Sequence, residues 1–135
     1  MTPYRILITG SRGWEDHDLV RAHLTAAVYQ QVPAVIIHGG CPIGPDAVAS
    51  WWVRQHRVIG LTEERHPADW KTHGRAAGPL RNTAMVGLGA DLCLAFISPC
   101  TKTTCRRPHP HGSHGATNCA DLAEQAGIPV RRFTA

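Results

Sequence analysis

Short, uninterrupted apolar runs constrain the fold of this chain more than any other feature. They lie at the centres of YRILITG (residues 4–10), AVIIHGG (34–40) and ADLCLAFI (90–97). Runs of this length and composition are typical of strands buried on both faces of a parallel sheet. Segments with helical spacing of apolar residues lie between them, so the sequence predicts strands that alternate with helices through right-handed crossovers.

The other elements follow from the same patterns. Apolar residues repeat at helical spacing from Asp16 to Val28, and a second helix places Trp51 and Trp52 on its apolar stripe. A third helix is expected at 78–88, and a fourth begins at Thr117 as N-cap and ends at Gly127. A less apolar strand near the sheet edge and a short final strand complete the prediction. They lie in VIGLTEERHPADW and IPVRRFT.

The length of 135 residues fits one domain, and neither a repeat nor a linker divides residues 1–135. We therefore predict the α/β class: a single Rossmann-like domain with a parallel sheet of about five strands and helices on both faces. No apolar run approaches the roughly 20 residues that span a bilayer. The N-terminus lacks the pattern of a signal peptide, so a cytoplasmic protein without membrane contact is expected.

The net charge of +4 suits an anionic ligand. The basic residues form no long run, which argues against nucleic acid as the partner. In a sheet of this kind, ligands bind beyond the carboxyl ends of the strands, where the strand order reverses. The loops expected there hold the unusual residues of the chain. These loops are 10–14, 39–46, 66–81 and 98–117.

The first two loops combine glycines with groups that suit phosphate and ribose. Arginine offers a bidentate contact to phosphate, and an aspartate accepts from a ribose hydroxyl or caps its helix. The candidate residues are Gly10, Ser11, Arg12, Gly39, Gly40, Gly44 and Asp46. Neither loop is a G-x-G-x-x-G fingerprint or a Walker A loop.

The last two loops add groups that could recognise a base and more of the phosphate. Trp70 could stack on a base or pack under its loop, and Asp69 could accept from ribose or base. Arg81 and Asn82 open a helix, where the dipole disfavours a cation, so an anion is expected nearby. Two further phosphate contacts are predicted at another helix start, namely Gly115 and Thr117.

Together these motifs, over nearly the whole chain, resemble the SLOG superfamily of Rossmann-like nucleotide-binding domains, and within it the YspA-like branch common in phages and actinobacteria. The specific block is HPADWKTHGRAAGPLRN. The resemblance implies a nucleotide or nucleotide-derived ligand, such as a nucleoside phosphate or an ADP-ribose-like molecule. The protein would act as sensor, carrier or sponge. It also implies a homo-oligomer, dimer or tetramer, for which the adjacent tryptophans could supply an interface.

One departure from the superfamily separates binding from catalysis. The related lonely-guy phosphoribohydrolases carry P-G-G-x-G-T-x-x-E, whereas this chain reads HGSHGATNCADLAE. Cys119 or Ala120 stands at the position of that glutamate, and Glu124 is a turn too far along the helix. Cleavage needs a carboxylate beside the ribose, which Asp46 or Asp69 could supply here. We therefore expect binding. A phosphoribohydrolase or N-glycosidase on the same site is the first alternative, and single-stranded nucleic-acid binding, known from another SLOG branch, is the second.

A Cys- and His-rich loop is the remaining feature. Cys100 and Cys105 precede several histidines within reach of tetrahedral zinc. The metal candidates are Cys100, Cys105, His109 and His111. The spacing lacks the Cys-x2-Cys hairpin of recognisable zinc sites, so a polar loop without metal is the competing interpretation, and no cofactor is firmly implied.

Overall fold

A computed structural model describes residues 2–135 as five parallel strands joined by helices. The strands are β1 (Tyr4–Gly10), β2 (Ala34–His38), β3 (Leu61–Arg65), β4 (Leu92–Ile97) and β5 (Val130–Thr134). The helices are α1 (His17–Val28), α2 (Pro45–His56), the single turn α3 (Trp70–His73), α4 (Ala77–Gly87) and α5 (His114–Gln125). A 3-10 turn, Gly74–Ala76, joins α3 to α4. The predicted Rossmann-like α/β fold is confirmed.

The strand order is β3-β2-β1-β4-β5, so the chain winds outward from β1, crosses back over the sheet and continues from β4. The less apolar strand β3 lies at an edge, as predicted. The order reverses between β1 and β4, which pair in parallel from Ile6–Leu92 to Gly10–Phe96. In open parallel sheets this switch point leaves a crevice beyond the carboxyl ends of the two strands.

Alternating side chains of the strands form one apolar layer on each face of the sheet. Ile6 and Ile8 pack under α1 and α2, whereas Leu7 packs under α4 and α5. Trp14, from the loop after β1, is also buried and meets Phe96 edge-on with ring centroids 5.6 Å apart. This packing holds the loop after β1 against β4 and sets the path of the loop toward the crevice.

Some local predictions were wrong. Helix α5 begins at His114 with Ser113 as N-cap, so Thr117 lies inside its first turn and does not cap it. The Thr117 N–H already donates to the Ser113 carbonyl oxygen at 3.1 Å, so the N-cap lies four residues before the predicted one. The two tryptophans that were predicted on one apolar stripe of α2 differ in burial: Trp52 is 2% exposed, whereas Trp51 is 46% exposed. Consecutive helical residues point about 100° apart, so the two rings face different directions.

Among the helices of residues 2–135, none combines the length and the apolar character that crossing a membrane requires.

Candidate functional site

A cleft of about 1290 Å³ opens at the switch point, beyond the carboxyl ends of β1 and β4. Its walls come from the loops after β1, β2, β3 and β4 and from the first turns of α4 and α5. Most of the predicted ligand-binding residues line it: Gly10, Ser11, Arg12, Gly39, Gly40, Asp46, Trp70, Arg81, Asn82, Gly115 and Thr117. Gly44 and Asp69 are the two predicted residues outside this lining.

Gly44 serves close packing between two loops of the site. It is the N-cap of α2 with φ of +78°, and a Cβ there would lie 2.8 Å from the Ser11 carbonyl oxygen. A Cβ on Gly10 would likewise overlap the ring of Pro45. These two glycines let the loop after β1 lie directly on the start of α2. These two glycines therefore permit close packing within the protein, and their close contacts are not with a ligand.

Ser11 joins three segments of the cleft and is itself 6% exposed. Its Oγ accepts the Ser98 N–H at 2.8 Å and shares a hydrogen bond with the Ser113 hydroxyl. Its own N–H donates to the Phe96 carbonyl oxygen at 2.9 Å. The Ser11 hydroxyl, which was predicted to contact a ligand, therefore holds the loop after β1 against the loop after β4.

Arg81 lies in the second turn of α4 and not, as predicted, in the first, because the helix already begins at Ala77. Backbone carbonyl groups and not a carboxylate fix its side chain. Its Nη1 donates to the carbonyl oxygens of Gly39 at 2.8 Å and His66 at 3.2 Å. Its Nε donates to Asn82 Oδ1 at 2.8 Å. Within residues 2–135, Nη2 makes no hydrogen bond and Arg81 belongs to none of the ion pairs. A positioned cation with spare donors therefore faces the cleft.

Asn82 connects α4 to the start of α5. It is buried, and its Nδ2 donates to Asn118 Oδ1 at 3.0 Å and to the Gly115 carbonyl oxygen at 3.3 Å. Because its Oδ1 accepts from Arg81, every polar atom of Asn82 has a partner. Asn82 therefore acts as a positioning residue that orients Arg81 and the first turn of α5.

Asp46 is a carboxylate buried at the start of α2 with only 8% of its surface exposed. Its Oδ2 accepts the Cys41 N–H at 3.3 Å. Burial raises the pKa of Asp46, and nearby His38, the Cys41 N–H, the Arg81 cation and the Gly39 N–H offset part of that effect. A desolvated carboxylate at the wall of a cleft is a common feature of binding and catalytic sites.

The turn after β2 depends on His38, which was not among the predicted site residues. The His38 ring is 1% exposed, its Nδ1 accepts the Gly40 N–H at 3.0 Å, and its Nε2 lies 2.8 Å from Glu63 Oε1. Because a backbone N–H only donates, Nδ1 carries no proton and Nε2–H donates to Glu63. Ser50 also donates to Glu63, at 2.9 Å. The sequence signal for this role was a histidine at the end of a buried strand, directly before two glycines.

Trp70 and Asp69 have separate tasks. The Trp70 ring lines the cleft, is 51% exposed, and would lie 3.4 Å from a Cβ on Gly78. Its exposed side is a flat apolar platform at the rim. Asp69 is the N-cap of α3 and accepts the Thr72 N–H at 3.1 Å. Hydrogen bonds from Thr72 lower the pKa of Asp69, which is an exposed residue.

The cleft carries more positive charge than the sequence motifs suggested. Besides Arg12 and Arg81, the lining includes Arg75, Lys102 and Arg107. Two carboxylates, Asp46 and Asp121, also line it. Asp121 is paired with Arg132 at 2.7 Å. The resulting excess of cations favours an anionic ligand.

The start of α5 closes the opposite wall. Gly115 is exposed, and a Cβ there would meet no atom within 4 Å. The Thr117 Oγ1 is a buried atom without a hydrogen-bond partner within residues 2–135. The first turn of α5 lines the cleft together with Lys102 and Arg107, and the free N–H groups of a helix start suit phosphate oxygens.

The Cys- and His-rich loop folds into a compact cluster beside the cleft. It brings together the donor atoms of Cys100, Cys105, His111 and His114. His109, the remaining predicted metal ligand, is not in the cluster. Its ring packs against the His111 ring with centroids 4.5 Å apart. His114 takes the fourth position because α5 begins there and turns its ring back toward the loop.

The fold and the cleft define the class: a Rossmann-like domain with a cation-lined cleft at the switch point of a parallel sheet. A model of the YspA, cpYpsA-related SLOG family matches residues 4–73. The Gene 61 protein of Mycobacterium phage D29 is 39% identical over 132 residues, which are 96% of this chain and 95% of that protein. No solved structure shows significant similarity to the chain.

The chain therefore belongs to the YspA, cpYpsA-related SLOG family. The predicted membership of the SLOG superfamily and its YspA-like branch is confirmed. Membership of this family indicates nucleotide-related ligand binding in general.

Proposed function

We propose that the protein binds a nucleotide or nucleotide-derived ligand, such as a nucleoside phosphate or an ADP-ribose-like molecule, in the cleft at the switch point. The observation that carries the proposal is the environment of Arg81, whose guanidinium group is fixed by two carbonyl oxygens with Nη2 still free. A cation positioned in this way, without a carboxylate partner, suits a phosphate group.

Different residues of the cleft lining suit different parts of such a ligand. Arg12, Lys102 and Arg107 supply cations for phosphate, together with the start of α5. Trp70 offers a half-exposed ring on which a base could stack. Asp46 is the acceptor for a ribose hydroxyl. Gly44, Ser11 and Asn82 shape and position these groups, and Asp69 caps α3.

A second candidate is hydrolysis of the N-glycosidic bond of a nucleotide at the same site. The observation that favours it is the buried Asp46 carboxylate, whose pKa is raised by burial. The position of the family glutamate is taken by Cys119 or Ala120, which are both fully buried. Asp46 would therefore have to stabilise the charge that develops on the ribose or activate the attacking water.

Chromatography of nucleotide mixtures after incubation with the protein separates these candidates. Binding alone predicts that AMP, ADP, ADP-ribose and NAD are recovered intact. Release of free base and ribose phosphate, lost in Asp46→Asn, would establish the hydrolase instead. Binding to single-stranded DNA, the remaining alternative, would appear as an affinity that falls steeply with salt concentration.

A homo-oligomer remains part of the proposal. The Trp51 ring is half-exposed on α2, outside the cleft, with the Arg21 guanidinium 5.8 Å from its centroid. Exposed aromatic rings are enriched at protein interfaces. Light scattering of the wild type and Trp51→Ala would test this interface.

A further inference from the structure

We propose that Cys100, Cys105, His111 and His114 bind one Zn²⁺ ion, which fixes the loop after β4 to the start of α5. Cys100 and His114 also line the cleft, but the zinc proposal does not depend on nucleotide binding. The four side chains each offer one ligand atom, and these atoms all lie within 4.8 Å of one another.

Four of the six distances between the ligand atoms match the edges of a zinc tetrahedron, and the other two, from Cys100 Sγ to Cys105 Sγ and to His111 Nε2, lie within 4.8 Å. His111 Nε2 and His114 Nε2 lie 3.3 Å apart, and Cys105 Sγ lies 3.5 Å from the first and 3.3 Å from the second. Cys100 Sγ lies 3.5 Å from His114 Nε2. With Zn–S near ~2.3 Å and Zn–N near ~2.05 Å, tetrahedral angles predict S···N edges of about 3.5 Å and N···N edges of about 3.3 Å.

Hydrogen bonding orients one ligand for metal coordination. His111 Nδ1 lies 2.8 Å from the Pro108 carbonyl oxygen, which can only accept, so Nδ1 carries the proton. In the neutral ring Nε2 then presents a lone pair toward Cys105 and His114. A carbonyl partner on the other ring nitrogen is the usual support of a metal-bound histidine.

The donor set selects the metal and the role. Two thiolates and two imidazoles without a carboxylate favour zinc over magnesium or calcium. Four protein ligands leave no open position, as in structural zinc sites. Binding releases the two thiol protons, so the completed site is neutral.

The position of the cluster explains what the ion would stabilise. Residues 98–113, between β4 and α5, hold no helix, and their one regular pairing is the bridge between Pro99 and Gly112. The Cys100 N–H donates to the His111 carbonyl oxygen at 2.7 Å. Connections of this length are uncommon in compact domains without a constraint. The same loop carries Lys102 and Arg107 into the cleft, so zinc would order that wall.

The test is the metal content of the purified full chain, measured by plasma mass spectrometry, together with Co²⁺ exchange. We expect one zinc per chain, and a Co²⁺ form with the strong visible absorption of tetrahedral thiolate ligation. Cys105→Ser and His114→Ala should each retain less than about one-tenth of an ion per chain. His109→Ala and Cys41→Ser are the matched controls, and both should keep the full content, because these residues lie outside the cluster.

Three results would overturn the proposal. The first is wild-type protein without zinc that also fails to give the tetrahedral Co²⁺ spectrum after reconstitution under reducing conditions. The second is a disulfide between Cys100 and Cys105 in the protein kept reduced during purification. The third is equal loss of metal in His109→Ala and His114→Ala. Circular dichroism of each variant shows whether the sheet is intact, and none of these measurements requires a nucleotide.

Discussion

The guanidinium group of Arg81 lies directly against the α-carbon of Gly39, with its Nη1 donating to the Gly39 carbonyl oxygen at 2.8 Å. A Cβ at position 39 would overlap this group. The glycine after β2 therefore makes room for an arginine that arrives from α4, 42 residues later. This contact places a cation at the point where the sheet opens, and the proposed phosphate site depends on it.

Gly39→Ala should displace Arg81 and weaken nucleotide binding about 10- to 100-fold, the effect of losing one or two hydrogen bonds to a charged group. Calorimetric titration with ADP-ribose measures the change. Gly13→Ala is the matched control, because Gly13 lines the same cleft and a Cβ there meets nothing within 4 Å. Equal affinity of Gly39→Ala and the wild type would show that the position of Arg81 is irrelevant to binding.

Trp70→Ala should reduce the affinity for AMP about 5- to 100-fold, because stacking on an aromatic ring contributes about 1–3 kcal/mol per base. The affinity for inorganic phosphate should not change. Trp51→Ala removes another half-exposed ring, outside the cleft, and should leave both affinities unchanged. The stacking assignment fails if the two variants bind AMP alike.

Asp46→Asn should be at least as stable as the wild type at neutral pH. Burial raises the pKa of Asp46 in the folded protein above its ordinary value of 3.8, so ionisation of this group opposes folding. The contribution of Asp46 to stability is therefore present below its unfolded pKa and is lost as the pH rises through the folded pKa. Asparagine keeps an acceptor for the Cys41 N–H without the charge.

Urea unfolding of both proteins across a pH series checks this. The advantage of Asp46→Asn should appear above the folded pKa and disappear as the pH falls toward 3.8. A variant that is less stable than the wild type at neutral pH would mean that the ionised carboxylate stabilises the fold.

Ser11→Ala should lower the free energy of unfolding by about 1–3 kcal/mol, because the Ser98 N–H loses its acceptor in a largely buried position. Thr83→Ala is the control. Its hydroxyl donates to the Pro79 carbonyl oxygen on an exposed helix turn, so little change is expected. Chemical denaturation of the three proteins gives the comparison, and an unchanged midpoint for Ser11→Ala would contradict the role of Ser11 as a junction.

The fold could be predicted because its signals are local. The apolar centres of β1, β2 and β4 are long enough to identify buried strands, and alternation with helices allows few topologies. The start of α5 could not be placed in this way, because Ser113 and Thr117 are both suitable N-caps and the preference for serine over threonine is too small to decide between them.

The sequence predicts which loops form the site but not which residues contact one another. Gly39 makes room for Arg81 of α4. Ser11 forms hydrogen bonds with Ser98 in the loop after β4 and with Ser113 at the N-cap of α5. Tertiary packing alone decides these pairings. The choice of His114 over His109 in the Cys–His cluster likewise depends on the direction in which α5 leaves the loop.

Calorimetric titration of the wild type and Arg81→Ala with AMP, ADP, ADP-ribose and NAD tests the central claim most directly. The account predicts that at least one of these ligands binds the wild type at one site per chain. It also predicts that the variant, still folded by circular dichroism, loses that binding. Absence of heat with every ligand in the wild type, or full affinity in Arg81→Ala, would contradict the assignment of this cleft as a nucleotide site.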